Sequence, residues 1–445
     1  MEPLAGVGAA LRCREQRHVG VADNHLERRA ELPHHVATGT SMQEESPLHL
    51  PSPRPSPGEG AALVLPGGGA RTAYQAGVLQ GLANILQQQG WPAERNPFAV
   101  VCGTSAGAIN AAHYASGVAT WADTLQALPG IWASLHADQV FHTQPHYLLR
   151  GGLRWLGLMS TGWLVRQSPR ALLDNAPLAD TLGRHIRLDR VDAAVQSGAL
   201  RALAITASSY STGRHITFFQ GAADVPGWRR PGIWGLAQTI SLDHLLASSA
   251  LPFVFPAMKL WTGEQAEFCG DGAMRQLAPL APAIRLGARC ALAIGVSEPR
   301  GATAWIAPDG RDYPSIAQIA GHVLSTVFLD TLPADAQLAE HINTAVRRLP
   351  LEARALQPFR EFPVLLITPS ESINAIAARH WSRMPHGMRV LMGAIGAAEA
   401  TGAALASYLL FEPGFCTELT QLGERDALIQ ADAIRRFVDT HVPAP

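Results

Sequence analysis

Apolar residues along this chain fall into two patterns, short unbroken runs and runs spaced by three or four positions. Ala61-Ala62-Leu63-Val64-Leu65, closed by Pro66 and three glycines, is an unbroken run whose length predicts a strand buried on both faces. After it, Tyr74, Val78, Leu79, Leu82 and Ile85 recur at helical spacing, which predicts an amphipathic helix ending near Gly90. Phe98-Ala99-Val100-Val101-Cys102 predicts a second strand, and Ala106 to Ser116 a second, alanine-rich helix. Strand, helix, strand, helix implies a parallel sheet with helices packed on its faces.

Residues 118 to about 195 carry helical pieces with Trp121, Trp132, Trp155 and Trp163. Arg201 to Ala207 resumes the strand pattern, and Arg214 to Gln220 is placed to pair back on it as a hairpin. Leu242 to Ser249 reads as a helix stopping at Pro252, while Ala291 to Val296 and Val364 to Ile367 read as strands. Ser315 to Leu332 and Met388 to Val438 read as helices, among them an Ala/Gly-rich one over Gly393 to Leu410. The expected fold is α/β, a three-layer sandwich with a mainly parallel central sheet and helices on both faces, plus a helical C-terminal extension. Three parts are expected: 1–60, a core domain over 61–290, and 291–445 packed on it. Residues 1–60 lack Phe, Trp, Tyr and Ile and end in the Pro-rich run Pro51 to Gly58, so they are expected to be disordered. Translation from Met42 is an alternative to translation from Met1.

Composition narrows the function. Lys plus Arg (35) nearly balance Asp plus Glu (36), so no whole-chain field exists to hold a nucleic acid. The five cysteines are scattered without C-x-x-C pairs, which fits a reducing compartment and offers no metal site. No stretch reaches the roughly 20 apolar residues of a membrane span. Leu4 to Leu11 is short and follows Glu2, a poor signal peptide. The expectation is a cytoplasmic protein, at most peripheral to a membrane, without metal or cofactor.

Gly103-Thr104-Ser105-Ala106-Gly107 lies between the second strand and the second helix, the context of a nucleophile elbow. The amide of Ala106, at a helix N-terminus, can help hold an oxyanion. Gly67-Gly68-Gly69-Ala70-Arg71 occupies the equivalent place after the first strand, where successive amides offer a second anion pocket. A dinucleotide-binding G-x-G-x-x-G fails here at Thr72. No histidine after Ser105 sits in a context that marks it as the base. Asp271, between Gly270 and Gly272, leaves an apolar run and is expected on a loop at the sheet edge, although an acid there also serves as a simple Asx-turn.

These motifs together resemble the patatin-like phospholipase family, whose pattern is strand, G-G-G-x-R, G-x-S-x-G, then D-G-[GA]. They stand here in that order at Gly67 to Arg71, Gly103 to Gly107 and Asp271-Gly272-Ala273. Ala247 to Pro256 and Pro279 to Ala288 match as supporting blocks, so the resemblance spans about 63–290. It implies a lipid acyl hydrolase with a Ser105–Asp271 dyad, an acyl-enzyme, and an oxyanion hole from Gly67, Gly68 and Gly69 that Arg71 biases electrostatically. The implied substrate is a phospholipid or another acyl ester. Thr72 departs from the family, which often has Gly there. A β-branched residue resists positive φ, so what this threonine leaves open is the detailed geometry of the loop more than the chemistry, since the first three glycines carry the amides.

The stretch 153–166 has the Trp, Leu and Arg content of an interfacial helix or lid, and equally of a buried helix. Two rivals stay open: a non-catalytic lipid-binding protein with this fold, and an α/β-hydrolase whose late histidine completes a triad.

Overall fold

The computed structural model describes residues 43–44, 60–144, 147, 157, 171–263, 265–298, 315–329, 331–394, 396–397 and 403–442. The disorder expected over 1–60 and the interfacial reading of 153–166 therefore fall almost wholly outside the described residues. Among the described residues eleven strands form one sheet. They are β1 Gln43–Glu44, β2 Ala61–Leu65, β3 Phe98–Thr104, β4 Ala202–Ser209, β5 His215–Gly221, β6 Trp228–Arg230, β7 Ile233–Ala237, β8 Met258–Trp261, β9 Ala266–Asp271, β10 Cys290–Ile294 and β11 Val364–Ile367. Their order is β1-β6-β7-β5-β4-β3-β2-β10-β11, with β9 pairing β4 and β8.

From β4 to β11 every neighbouring pair along this order is parallel. β5 then returns antiparallel on β4, the expected hairpin. The apolar runs read as buried on both faces because they are. Leu63 and Leu65 of β2 join one core, while Ala62 and Val64 join the core on the opposite face. Helices α1 (Ala73–Gln88), α2 (Ala106–Ser116) and α3 (Trp121–Ala133) belong to the first face. The second face is lined by small residues such as Ala202, Ala204, Ala291 and Ala293, against which Leu286 and Leu332 pack. This is a three-layer α/β fold with a mainly parallel sheet and a largely helical C-terminal part.

β10 begins at Cys290 and lies between β2 and β11, so the sheet runs through the boundary expected at 290. The helix Pro413–Ile429 covers α1 at very short range. A Cβ on Gly77 would come within 1.8 Å of Thr420 O, and one on Gly423 within 2.2 Å of Tyr74 O. Backbones can approach this closely only where side chains are missing. Asp426 of the same helix accepts from Tyr74 Oη at 2.9 Å and from Ser370 N at 2.9 Å.

The single helix expected over Gly393 to Leu410 is instead two, His386–Ala394 and Ala403–Leu409. Gly396, at φ 87, ends the first: its amide donates to Gly393 O and that of Ala397 to Met392 O. This pair of bonds is a Schellman motif, and the Ala-rich composition hid the terminating glycine. Among the described residues no helix is long and apolar enough to cross a membrane.

Candidate active site

β3 delivers the chain to Ser105, and α2 starts immediately after it. Ser105 adopts φ 55, ψ −134, one of two non-glycine residues with positive φ among those described. Such a conformation costs about 1–3 kcal/mol and persists only where the surroundings fix it. Here Ser105 N donates to Ser248 Oγ at 2.8 Å, and Ser248 Oγ in turn donates to Thr206 O at 2.6 Å. Gly103 and Gly107 flank the turn. A Cβ on Gly107 would lie 2.2 Å from Leu65 O, so only glycine lets the helix start settle on the end of β2. The neighbouring Thr104 donates its hydroxyl to Gln276 Oε1 at 2.8 Å.

β9 pairs antiparallel with the far end of β4, Ala207 opposite Asp271, which carries Asp271 to the same edge of the sheet. Asp271 is thus the last residue of a strand, not a free loop residue. Ser105 Oγ donates to Asp271 Oδ2 at 2.6 Å. The other carboxylate oxygen accepts from Ala273 N at 3.0 Å, so Asp271 also makes the Asx-type turn that opens the Gly272–Arg275 segment. Burial pushes the Asp271 carboxyl up to about 7; the bonds from Ser105 and Ala273 pull in the opposite direction without cancelling it.

The glycine turn stands beside this pair. A Cβ on Gly67 would meet Ser105 Cβ at 2.6 Å. Gly69 takes φ 57, and a Cβ on it would meet Tyr408 O at 2.2 Å. Gln75 Nε2 donates to Pro66 O at 2.9 Å, and Asn110 Nδ2 to Thr72 O at 3.2 Å, so both ends of the turn are held by buried side chains. Thr72 does not distort it. Its backbone is right-handed helical, φ −70, and its hydroxyl donates to Gly69 O at 2.7 Å. The positive φ falls on Gly69 instead, where a glycine takes it without strain.

Arg71 corrects another expectation. It is fully buried and does not line the cavity beside Ser105. Its Nη2 lies 2.7 Å from Glu298 Oε1 and 3.0 Å from Val296 O, and its Nη1 donates to Asn374 Oδ1 at 2.8 Å and Ser407 Oγ at 3.0 Å. With its charge balanced by Glu298, the guanidinium fastens the loop and is not a bare positive charge aimed at an oxyanion.

Ser105, Asp271 and Gly69 open on a cavity of about 80 Å³ with a mostly apolar wall. Ile109 and Trp132 from α2 and α3, Leu178 from the helix Ala176–His185, and Phe328 and Phe411 from the C-terminal part contribute to it. His113 reaches this wall, but its ring nitrogens face His185 O at 3.1 Å and Thr124 O at 3.3 Å. Among the described residues Ser105 Oγ has Asp271 as its sole hydrogen-bond partner. The four described cysteines are buried thiols pushed up to about 12 by burial, unsuited to act as nucleophiles. No group of side chains that could hold a metal occurs among the described residues.

Ser105, Asp271 and the glycines, all marked by motifs in the sequence, meet in the fold. Ser248, Gln75, Asn110 and Gln276 carry no such mark of a role. Ser248 had a signal, since it lies in the block Ala247 to Pro256; the other three look like any polar residue in a helix or loop.

Among known proteins, the model of the patatin-like phospholipase family matches residues 63–284. No curated protein is significantly similar to the chain. Among solved structures, VipD from Legionella pneumophila aligns with 80% of this chain and 67% of its own, at 14% identity and a TM-score of 0.26, too slight a likeness to carry an argument. The family match starts in the strand that leads to the glycine turn and ends just beyond the acid, enclosing both halves of the site. By this domain the chain belongs to the patatin-like phospholipase family, a family of lipolytic hydrolases.

Proposed function

We propose that the chain hydrolyses lipid acyl esters through a dyad of Ser105 and Asp271. The observation that carries this reading is the 2.6 Å bond from the Ser105 hydroxyl to a buried carboxyl at the head of an apolar cavity. As Ser105 Oγ bonds to the ester carbonyl carbon, its proton passes to Asp271 and the carbonyl electrons move onto oxygen. Amides of the Gly67–Gly69 turn and of Ala106 stabilise that oxyanion, each such donor being worth about 3–4 kcal/mol in the barrier. The tetrahedral intermediate collapses, the alcohol leaves with the proton from Asp271, and the acyl group stays on Ser105. Water then attacks the acyl-enzyme, gives a proton to Asp271, and the fatty acid departs as Ser105 regains its hydrogen. The apolar cavity beside the nucleophile suits an acyl chain, which makes phospholipids and related acyl esters the substrate class.

The test is labelling by a fluorophosphonate probe. The wild type should be labelled and Ser105→Ala should not, while Asp271→Asn should lose ester hydrolysis. An unlabelled wild type would sink the reading and leave a lipid-binding protein; activity retained in Asp271→Asn would point to a different base.

A further inference from the structure

We infer that Glu298, Asn374 and Ser407 are positioning residues of the oxyanion loop, acting through Arg71, an inference that rests on the acyl-transfer reading of Ser105. All three lie outside the segment 63–284 that the family model matches. Arg71 sits two residues after Gly69, and its own amide donates to Gly68 O at 3.2 Å, so its placement and that of the loop are one problem. Each end of its guanidinium is gripped by a different element. Glu298 follows the strand β10, Asn374 stands in the first turn of the helix Ile373–His380, and Ser407 lies in the helix Ala403–Leu409.

Two of the grips are bonded to each other, and the third is oriented by its own helix. Asn374 N donates to Glu298 Oε1 at 3.1 Å, and Ser407 Oγ donates to Ala404 O at 2.6 Å, which leaves its lone pairs facing Arg71. Tyr408, next to Ser407, places its ring 5.6 Å from the guanidinium carbon and its carbonyl against Gly69. A planar guanidinium held at both ends has one orientation, unlike a lysine ammonium, and so fixes the direction of the amides before it. Amides that are aimed in advance need not reorganise when charge develops on the ester oxygen. Loosening the latch therefore weakens binding of the transition state and leaves binding of the acyl chain, made elsewhere in the cavity, unchanged.

The test is the split between kcat and KM on a soluble short-chain p-nitrophenyl ester. Arg71→Lys, Asn374→Ala and Ser407→Ala should each lower kcat, by roughly ten-fold or more for Arg71→Lys, with KM within about two-fold of wild type. The midpoint of the acidic limb of the pH profile should not move, because Asp271 is untouched. Glu298→Gln, which keeps an oxygen toward Arg71, should retain more kcat than Glu298→Ala. Should burial of Arg71 make its variant unfold, the Asn374 and Ser407 variants decide. A kcat equal to wild type in both overturns the inference, as does a loss that appears in KM and melting together. A wild type inactive toward the ester and the fluorophosphonate would fail the reading of Ser105 itself, whereas an active wild type with unaffected variants fails the latch alone.

Discussion

Asp271 holds a carboxyl whose burial and proton affinity set the pH behaviour of the site. To accept the Ser105 proton it must be ionised, so kcat/KM on a soluble ester should rise through about pH 7 and fall away below it. The same shift acts on stability with the opposite sign. The folded state holds this proton up to about pH 7, whereas an unfolded chain releases it near 4, so stability declines as pH climbs between those values. The difference is worth on the order of 4 kcal/mol. Asp271→Asn should accordingly melt at a higher temperature than wild type at pH 8 and converge with it at pH 4, while hydrolysing nothing. Melting curves at the two pH values check this, and equal Tm values at pH 8 would contradict it. Thr72 shows the complementary point. A residue that looked misplaced in the family pattern sits in ordinary helical backbone, because the demand for positive φ falls three residues earlier, on Gly69.

Helices in this fold are distinguished by what their glycines permit. Gly77 on α1 faces Thr420 O so closely that a methyl group cannot enter without parting α1 from the helix Pro413–Ile429. Gly130 on α3 has no heavy atom within 4 Å of its would-be Cβ. Gly77→Ala should therefore destabilise by about 1–3 kcal/mol or more, and Gly130→Ala should stabilise by about 0.5–1 kcal/mol through lost backbone entropy in the unfolded chain. Urea unfolding of the two variants, run side by side, reads the difference in sign. Elements were legible in the sequence where their pattern was local: the strands β2, β3, β10 and β11, the hairpin of β4 and β5, and the helices α1 and α2. The break between His386–Ala394 and Ala403–Leu409 was not, because alanine and glycine in series carry no periodicity and the Schellman bonds that end the first helix are a matter of backbone geometry.

Across the whole molecule, the recognised domain and the folded body have different limits. β10 and β11 complete the sheet beyond β2, and the helix Pro413–Ile429 covers α1. A chain cut at residue 290 loses nearly all of these and leaves the edge of β2 unpaired, a template for aggregation. Such a truncation should show no cooperative thermal transition and should collect in the insoluble fraction. A soluble fragment 42–290 that melts cooperatively would mean that the C-terminal part is dispensable for folding.

By itself, the sequence determined the strand-turn-helix units that carry the glycines and Ser105, because a buried strand, a tight turn and a helix are written in one consecutive stretch, 61–88 for the first and 98–116 for the second. It also marked Asp271, through a family pattern more than through local physics. Only the tertiary structure decided that Asp271 ends a strand paired to β4 and reaches Ser105, that Ser248 steadies the strained nucleophile, and that Arg71 is clasped by Glu298, Asn374 and Ser407. The side-chain hydrogen bonds among these join residues between 143 and 336 positions apart. No periodicity within a segment encodes which of many polar side chains will meet another across the sheet; burial and the order of the strands do.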